Sequence, residues 1–166
     1  MGTLAVVALV GRIVMIFALL MAVPLGFAAV GEDGAQMAFI GAMMATFGAG
    51  AAMSLTMSRF RRELQPRDGF LLVTLTWLLL PAFAALPLLW AVPGLSVTDA
   101  YFEAMSGFTT TGATVLTGLE RLPVSVNVWR CLLVFVGGMG IIVLVVAILP
   151  PLGVGGARQK DSDGVD

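Results

Sequence analysis

The sequence contains no histidine and a single cysteine, Cys131. The first absence removes the side chain that ordinarily serves acid–base chemistry near neutral pH. The second excludes an intrachain disulfide, and together they exclude a Cys/His metal centre. No nucleophile–base pair or metal-ligand set can be assembled from what remains, so an enzyme is not expected. Charge is equally scarce. Only 11% of residues are charged, and a net charge of −1 offers nucleic acid no basic surface. What fills the chain instead is apolar: 59% of residues are hydrophobic and the mean hydropathy is +1.02, far from a soluble domain. The lipid bilayer is the expected solvent. Cys131 stands in an apolar run and reads as a small packing residue.

Uncharged runs divide the chain. Residues 1-58 hold two leading spans. Ile13 to Gly31 is long enough for one tilted crossing, with the apolar Thr3–Gly11 run before Arg12. Pro24 predicts a kink there. A signal peptide competes, since Ala28 and Ala29 follow the apolar core, but Arg12 lies late for its positive residue and the stretch is long. After the acidic turn Glu32-Asp33, Gly34 to Ser58 forms the second span. On it, Gly41, Ala45, Gly48 and Ala52 make a strip of small residues that lets a neighbouring helix approach closely. Met37, Met43, Met44, Met53 and Met57 read as packing or lipid-facing groups.

Residues 59-68 form a basic loop. Arg59, Arg61, Arg62 and Arg67, diluted by Glu63 and Asp68, place it in the cytoplasm by the positive-inside rule; an anionic-lipid patch is compatible with that side. Both termini are then cytoplasmic, in agreement with Arg158 and Lys160 in the polar tail, residues 157-166. Residues 69-156 read as helix, pore loop and helix. The third span starts at Gly69, and Pro81 and Pro87 bend its outer half. Trp77 lies inside it and Trp90 near the outer interface. The fourth runs from Cys131 to Leu149, opened by Trp129 and Arg130. Gly137, Gly138 and Gly140 interrupt it near mid-membrane. They serve either close packing or a break that could hinge and gate a pathway.

Between these spans lies Asp99-Ala-Tyr-Phe-Glu-Ala-Met-Ser-Gly-Phe-Thr-Thr-Thr-Gly-Ala-Thr-Val115. Ser96 and Asp99 stand in capping-box spacing, and Gly107 is the expected stop, giving a pore helix at about 96-107. It would be roughly 20 Å long, too short for a hydrocarbon core of about 30 Å. Non-helical backbone at that depth is tolerated only inside protein or along a water-filled cavity, so a re-entrant loop follows, with a filter at 109-114. Backbone carbonyls of Thr109, Thr110, Thr111, Gly112 and Ala113 could replace a cation's water shell. Gly112 permits a backbone flip, and the helix C-terminus adds a negative partial charge. Glu103 and Thr114 read as supports, Glu103 by hydrogen-bonding the loop from behind. The competing reading is an ordinary Ser/Thr/Gly turn between membrane helices.

Thr109-Thr110-Thr111-Gly112-Ala113-Thr114 resembles the filter of the Trk/Ktr/HKT potassium-transporter superfamily, most closely the bacterial TrkH-type uptake subunits. Arg62-Glu63-Leu64-Gln65-Pro66-Arg67-Asp68-Gly69-Phe70 is similar to that family's cytoplasmic loop before the first pore unit, and Thr114–Leu119 to its post-filter segment. Gly137–Val143 and Ala147–Pro150 are similar to its second pore helix. The resemblance implies an all-α integral membrane protein with four transmembrane helices, a re-entrant pore helix and a filter loop. It implies potassium uptake, with potassium at Thr110, Thr111 and Gly112, in the bacterial inner membrane. A cytoplasmic nucleotide-binding regulatory subunit is an implied partner. From Ala157 the pattern departs: the family continues through three more helix–pore–helix repeats, and no second Thr-Thr-Gly loop is found here. Three expectations follow: the N-terminal portion of such a transporter, a self-contained homotetrameric cation channel, or a non-conducting remnant.

Overall fold

The structure, a computed structural model, describes the backbone of residues 2–57 and 66–148 and the side chains of 4–56 and 67–143. Every regular element among them is helical. α1 (Gly2–Leu20) and α2 (Ala22–Gly31) make one broken crossing, α3 (Gln36–Met57) returns, α4 (Pro66–Ala91) crosses again, α5 (Val97–Phe108) is short, and α6 (Val124–Ile148) follows a 3-10 turn at Leu119–Arg121. Four segments are long and apolar enough to span a bilayer: Leu4–Gly31, Gln36–Thr56, Arg67–Ala91 and Val124–Val143. The chain is a multi-pass, all-α integral membrane protein. The expectations for Arg59, Arg61, Arg62 and for the tail from Ala157 lie outside the described residues.

Arg12 does not bound the first crossing; it is exposed within it. The break falls at Met21, where Pro24 leaves the Leu20 carbonyl without a donor and crowds the turn. Met21 N–H accordingly bonds Ala18 O in the tighter pattern, and Leu25 N–H bonds Met21 O, both at 3.1 Å.

The small-residue strip on α3 is the wrong face for packing within the described residues. Ala45, Gly48 and Ala52 are exposed, and a Cβ at Gly48 would meet nothing within 4 Å. Of the four, Gly41 has a neighbour, the Trp90 ring, 3.1 Å from where its Cβ would be. The buried face is Ala42, Thr46, Gly50 and Ser54. There Gly50 meets Gly11 of α1 backbone to backbone: a Cβ on either would lie 2.7 Å from the other's carbonyl oxygen. Small residues mark both faces of α3, and what selects one is the glycine on the partner helix.

α4 stays helical through Pro81 and Pro87. The carbonyls three residues before each ring, those of Leu78 and Ala84, accept the Tyr101 hydroxyl at 3.3 Å and the Trp129 indole N–H at 2.9 Å. These bonds tie α4 to α5 and α6 beside its prolines, whose missing N–H groups leave the carbonyls four residues back, those of Trp77 and Phe83, without their helical donors. α6 begins at Val124, so Trp129 sits more than a turn inside it, fully buried, rather than at the start of the span. It packs against Phe17 (centroids 5.7 Å) and Phe39 (6.3 Å), while Phe108, the last residue of α5, meets Phe17 (6.2 Å) and Trp77 (4.9 Å). One ring each from α1, α3, α4, α5 and α6 thus anchors the end of the short helix.

Asp33 ties the α2–α3 turn to the start of α6. Its carboxylate accepts the Ala35 N–H at 3.1 Å and the Ser125 N–H, in the first turn of α6, at 2.9 Å, satisfying donors a helix start leaves open. Burial opposes the charge, but the donated hydrogen bonds outweigh it and hold the carboxyl below its ordinary range.

Candidate functional site

α5 has 12 residues, about 18 Å of helix. Ser96 starts it: its Oγ accepts the Asp99 N–H at 3.1 Å and donates to the Asp99 carboxylate at 2.7 Å. The end differs from expectation. Gly107 is helical, and α5 runs on to Phe108. Gly107 instead permits close packing, since a Cβ there would sit 3.3 Å from the Leu133 Cβ on α6.

The reversal falls at Thr110, with φ 59°. Thr111 N–H bonds Ser106 O and Thr110 N–H bonds Gly107 O, both at 2.9 Å. These are the paired bonds of a Schellman turn, with Thr110 at the left-handed position that glycine usually fills. A β-branched residue there costs about 1–2 kcal/mol. Gly112 makes the second left-handed step at φ 77°.

The hydrogen bonding sorts the loop into two sides. Thr109 N–H goes to Met105 O (2.8 Å) and Gly112 N–H to Ser106 O (3.4 Å), so the amides of Thr109, Thr110, Thr111 and Gly112 all turn back onto α5. The carbonyls of the same four residues accept no hydrogen bond among the described residues. Ala113 differs: its carbonyl accepts the Ser106 hydroxyl at 2.6 Å. The hydroxyls of Thr109 and Thr111 lie 2.9 Å apart, and Thr109 Oγ1 also donates to Met105 O at 2.8 Å. With its backbone donors spent internally, the loop presents backbone acceptors. That surface suits a dehydrated cation.

Glu103, 4% exposed, holds the strand behind the loop. Its oxygens accept the Thr114 hydroxyl (2.9 and 3.0 Å) and the Val115 N–H (3.1 Å). Arg130 of α6 donates to Glu103 Oε1 from Nε and Nη2, each at 2.7 Å. Arg130 Nη1 reaches Asn127 Oδ1 (3.3 Å), whose Nδ2 donates to Leu119 O (2.8 Å). The network therefore runs from α5 through α6 to the 3-10 turn at Leu119. Sequence reasoning singled out Glu103 and Thr114 but missed Arg130, Asn127 and Ser106. A usable signal existed for Arg130: a carboxylate inside an apolar segment demands a cationic partner, and Arg121 and Arg130 are the first two basic residues after Glu103.

A cavity of about 110 Å³ lies between α5 and α6, lined by residues that include Glu103, Ser106, Gly112, Ala113 and Arg130. Cys131, expected to be packed, is exposed beside it. α6 runs unbroken through Gly137, Gly138 and Gly140. Gly137 lies directly against the end of α5: a Cβ there would overlap the Phe108 carbonyl. A Cβ on Gly138 would lie 3.6 Å from the Thr110 methyl. In this conformation the two glycines are a seat for α5 and its loop.

A family model described as TrkH, cation transport protein, matches residues 35–163. The Trk system potassium uptake protein TrkH of Halomonas elongata is 48% identical over 149 residues, 89% of this chain and 31% of that protein. The Escherichia coli K12 protein of the same name is 44% identical over 155 residues, 93% of this chain and 32% of that one. In three dimensions the chain is similar to the potassium transporter TrkH from Vibrio parahaemolyticus: TM-score 0.86, 42% identity, 96% of this chain and 34% of that one. The chain spans about a third of the length of the relatives it matches. The chain belongs to the TrkH family of cation transport proteins.

Proposed function

We propose that this chain contributes one filter loop, a quarter of a closed ring, to a potassium-uptake transporter of the bacterial inner membrane. Potassium is the cargo, held by the carbonyls of Thr110, Thr111 and Gly112 with those of neighbouring loops. The observation that carries this reading is the division of the loop: four amides bonded back to α5, four carbonyls left free. An anion would need the reverse. Ala113 joins Glu103 and Thr114 as support, because its carbonyl is already engaged. One loop cannot enclose an ion, so further loops complete the ring, from the remaining repeats of the transporter or from further copies of the chain. The arginines between the second and third spans favour a cytoplasmic basic loop and cytoplasmic termini.

The test is Gly112→Ser in the assembled transporter, expressed in a strain lacking potassium uptake. A Cβ at Gly112 meets nothing within 4 Å, but φ is 77°, so the change strains the backbone without a clash. Potassium-over-sodium selectivity should fall about tenfold, the equivalent of about 1.4 kcal/mol between two binding free energies. Expression should be unchanged. An unaltered ratio in well-folded protein would mean the loop does not line the path. In the same cells, a cysteine at exposed Glu120 in a Cys131→Ala background should react with impermeant thiol reagents; protection would reverse the orientation.

A further inference from the structure

Four features meet at Thr110. Its backbone is left-handed, at φ 59°. Its amide closes the Schellman turn on Gly107 O at 2.9 Å. Its methyl lies over Gly138, 3.6 Å from where a Cβ on that residue would stand. Its hydroxyl takes no partner among the described residues, whereas those of Thr109 and Thr111 lie 2.9 Å from each other. Glycine would satisfy the turn better than any other residue. A β-branched side chain that persists in this region is over-determined by its surroundings, and such positions preorganise a site.

We propose that Thr110 is a positioning residue of the filter, acting through its branched carbon frame rather than its hydroxyl. Resting on the α6 glycine seat, the side chain leaves the backbone one conformation at the step into Thr111 and Gly112. Glycine at this position would relieve the strain yet free the loop to sample others. Stability and order at the site therefore respond in opposite directions to the same substitution. This inference rests on the filter reading given above, but its structural half is measurable without transport.

The experiment compares Thr110→Gly, Thr110→Val and the wild type. Valine keeps the branch and loses the hydroxyl. In detergent-purified full chain, Thr110→Gly should match or exceed the wild-type melting temperature while amide exchange at 110–112 quickens about tenfold; Thr110→Val should exchange like the wild type. In the assembled transporter, Thr110→Gly should lower potassium-over-sodium selectivity about fivefold or more, with Thr110→Val close to the wild type. Unchanged exchange in Thr110→Gly overturns the positioning role. So does a selectivity loss in Thr110→Val as large as in Thr110→Gly, which would assign the work to the hydroxyl. Quickened exchange with no potassium flux in any version would instead uphold the positioning and refute the filter reading.

Discussion

Arg130→Met isolates the ion pair behind the loop, because methionine keeps much of the stem and removes the guanidinium. In the wild type, Glu103 is 4% exposed and receives two Arg130 nitrogens at 2.7 Å. Without them the carboxylate stays buried with the Thr114 hydroxyl and the Val115 N–H as its donors. Stranding a buried charge costs about 3–5 kcal/mol, and the neutral donors that remain place this case near 3. For a chain of this size, that corresponds to a melting temperature roughly 6–12 °C lower. Glu103→Gln acts from the other side and should cost less, about 1–2 kcal/mol. Its stranded partner retains 22% side-chain exposure and the Asn127 carbonyl at 3.3 Å. The double variant buries no charge on either side, so it should fall short of the sum of the two by about 2 kcal/mol. Thermal unfolding of the four proteins in one detergent gives the cycle. Additive losses, or an Arg130→Met cost below about 0.5 kcal/mol as for an exposed pair, would refute the reasoning.

Gly137→Ala should prevent native packing of α6 on α5, because its Cβ would overlap the Phe108 carbonyl, while Gly138→Ala, with 3.6 Å to the Thr110 methyl, should purify normally; monodispersity on size exclusion separates them, and equal behaviour would deny the seat. The Asp33 carboxyl is held below its ordinary pKa, so the stability it contributes is complete above the unfolded value and is lost as pH falls below about 4. Asp33→Asn should therefore lower the melting temperature at pH 7 and converge with the wild type in acid. A gap that persists or widens at low pH would contradict the capping by charge.

The spans were legible because a bilayer imposes length and apolarity directly on sequence, and Ser96 and Asp99 fixed the start of α5 by local chemistry. Errors arose where the partner decides. Gly41, Ala45, Gly48 and Ala52 are as small as the face α3 buries, but Gly11 on α1 selects Gly50. Gly107 looked like a helix stop, yet α6 uses it for contact and the reversal passes to Thr110, a residue whose type argues against it. Arg130 lies 27 residues from Glu103; spacing along the chain carries no mark of that pairing.

The loop's residue types suggested carbonyl coordination, but its polarity comes from where the amides go. Ser106 illustrates the device: its carbonyl accepts both the Thr111 and Gly112 amides while its hydroxyl engages the Ala113 carbonyl. One residue of the pore helix thereby spends donors on the near side and ends the run of free acceptors. The Glu103 carboxylate fixes the departing strand, and Gly137 fixes the helix end. All these restraints come from within one helix–loop–helix unit. Under the function proposed above, a loop shaped by its own unit would need little further ordering when neighbouring loops close the ring, and ordering avoided at that step would be free energy left for discriminating between ions.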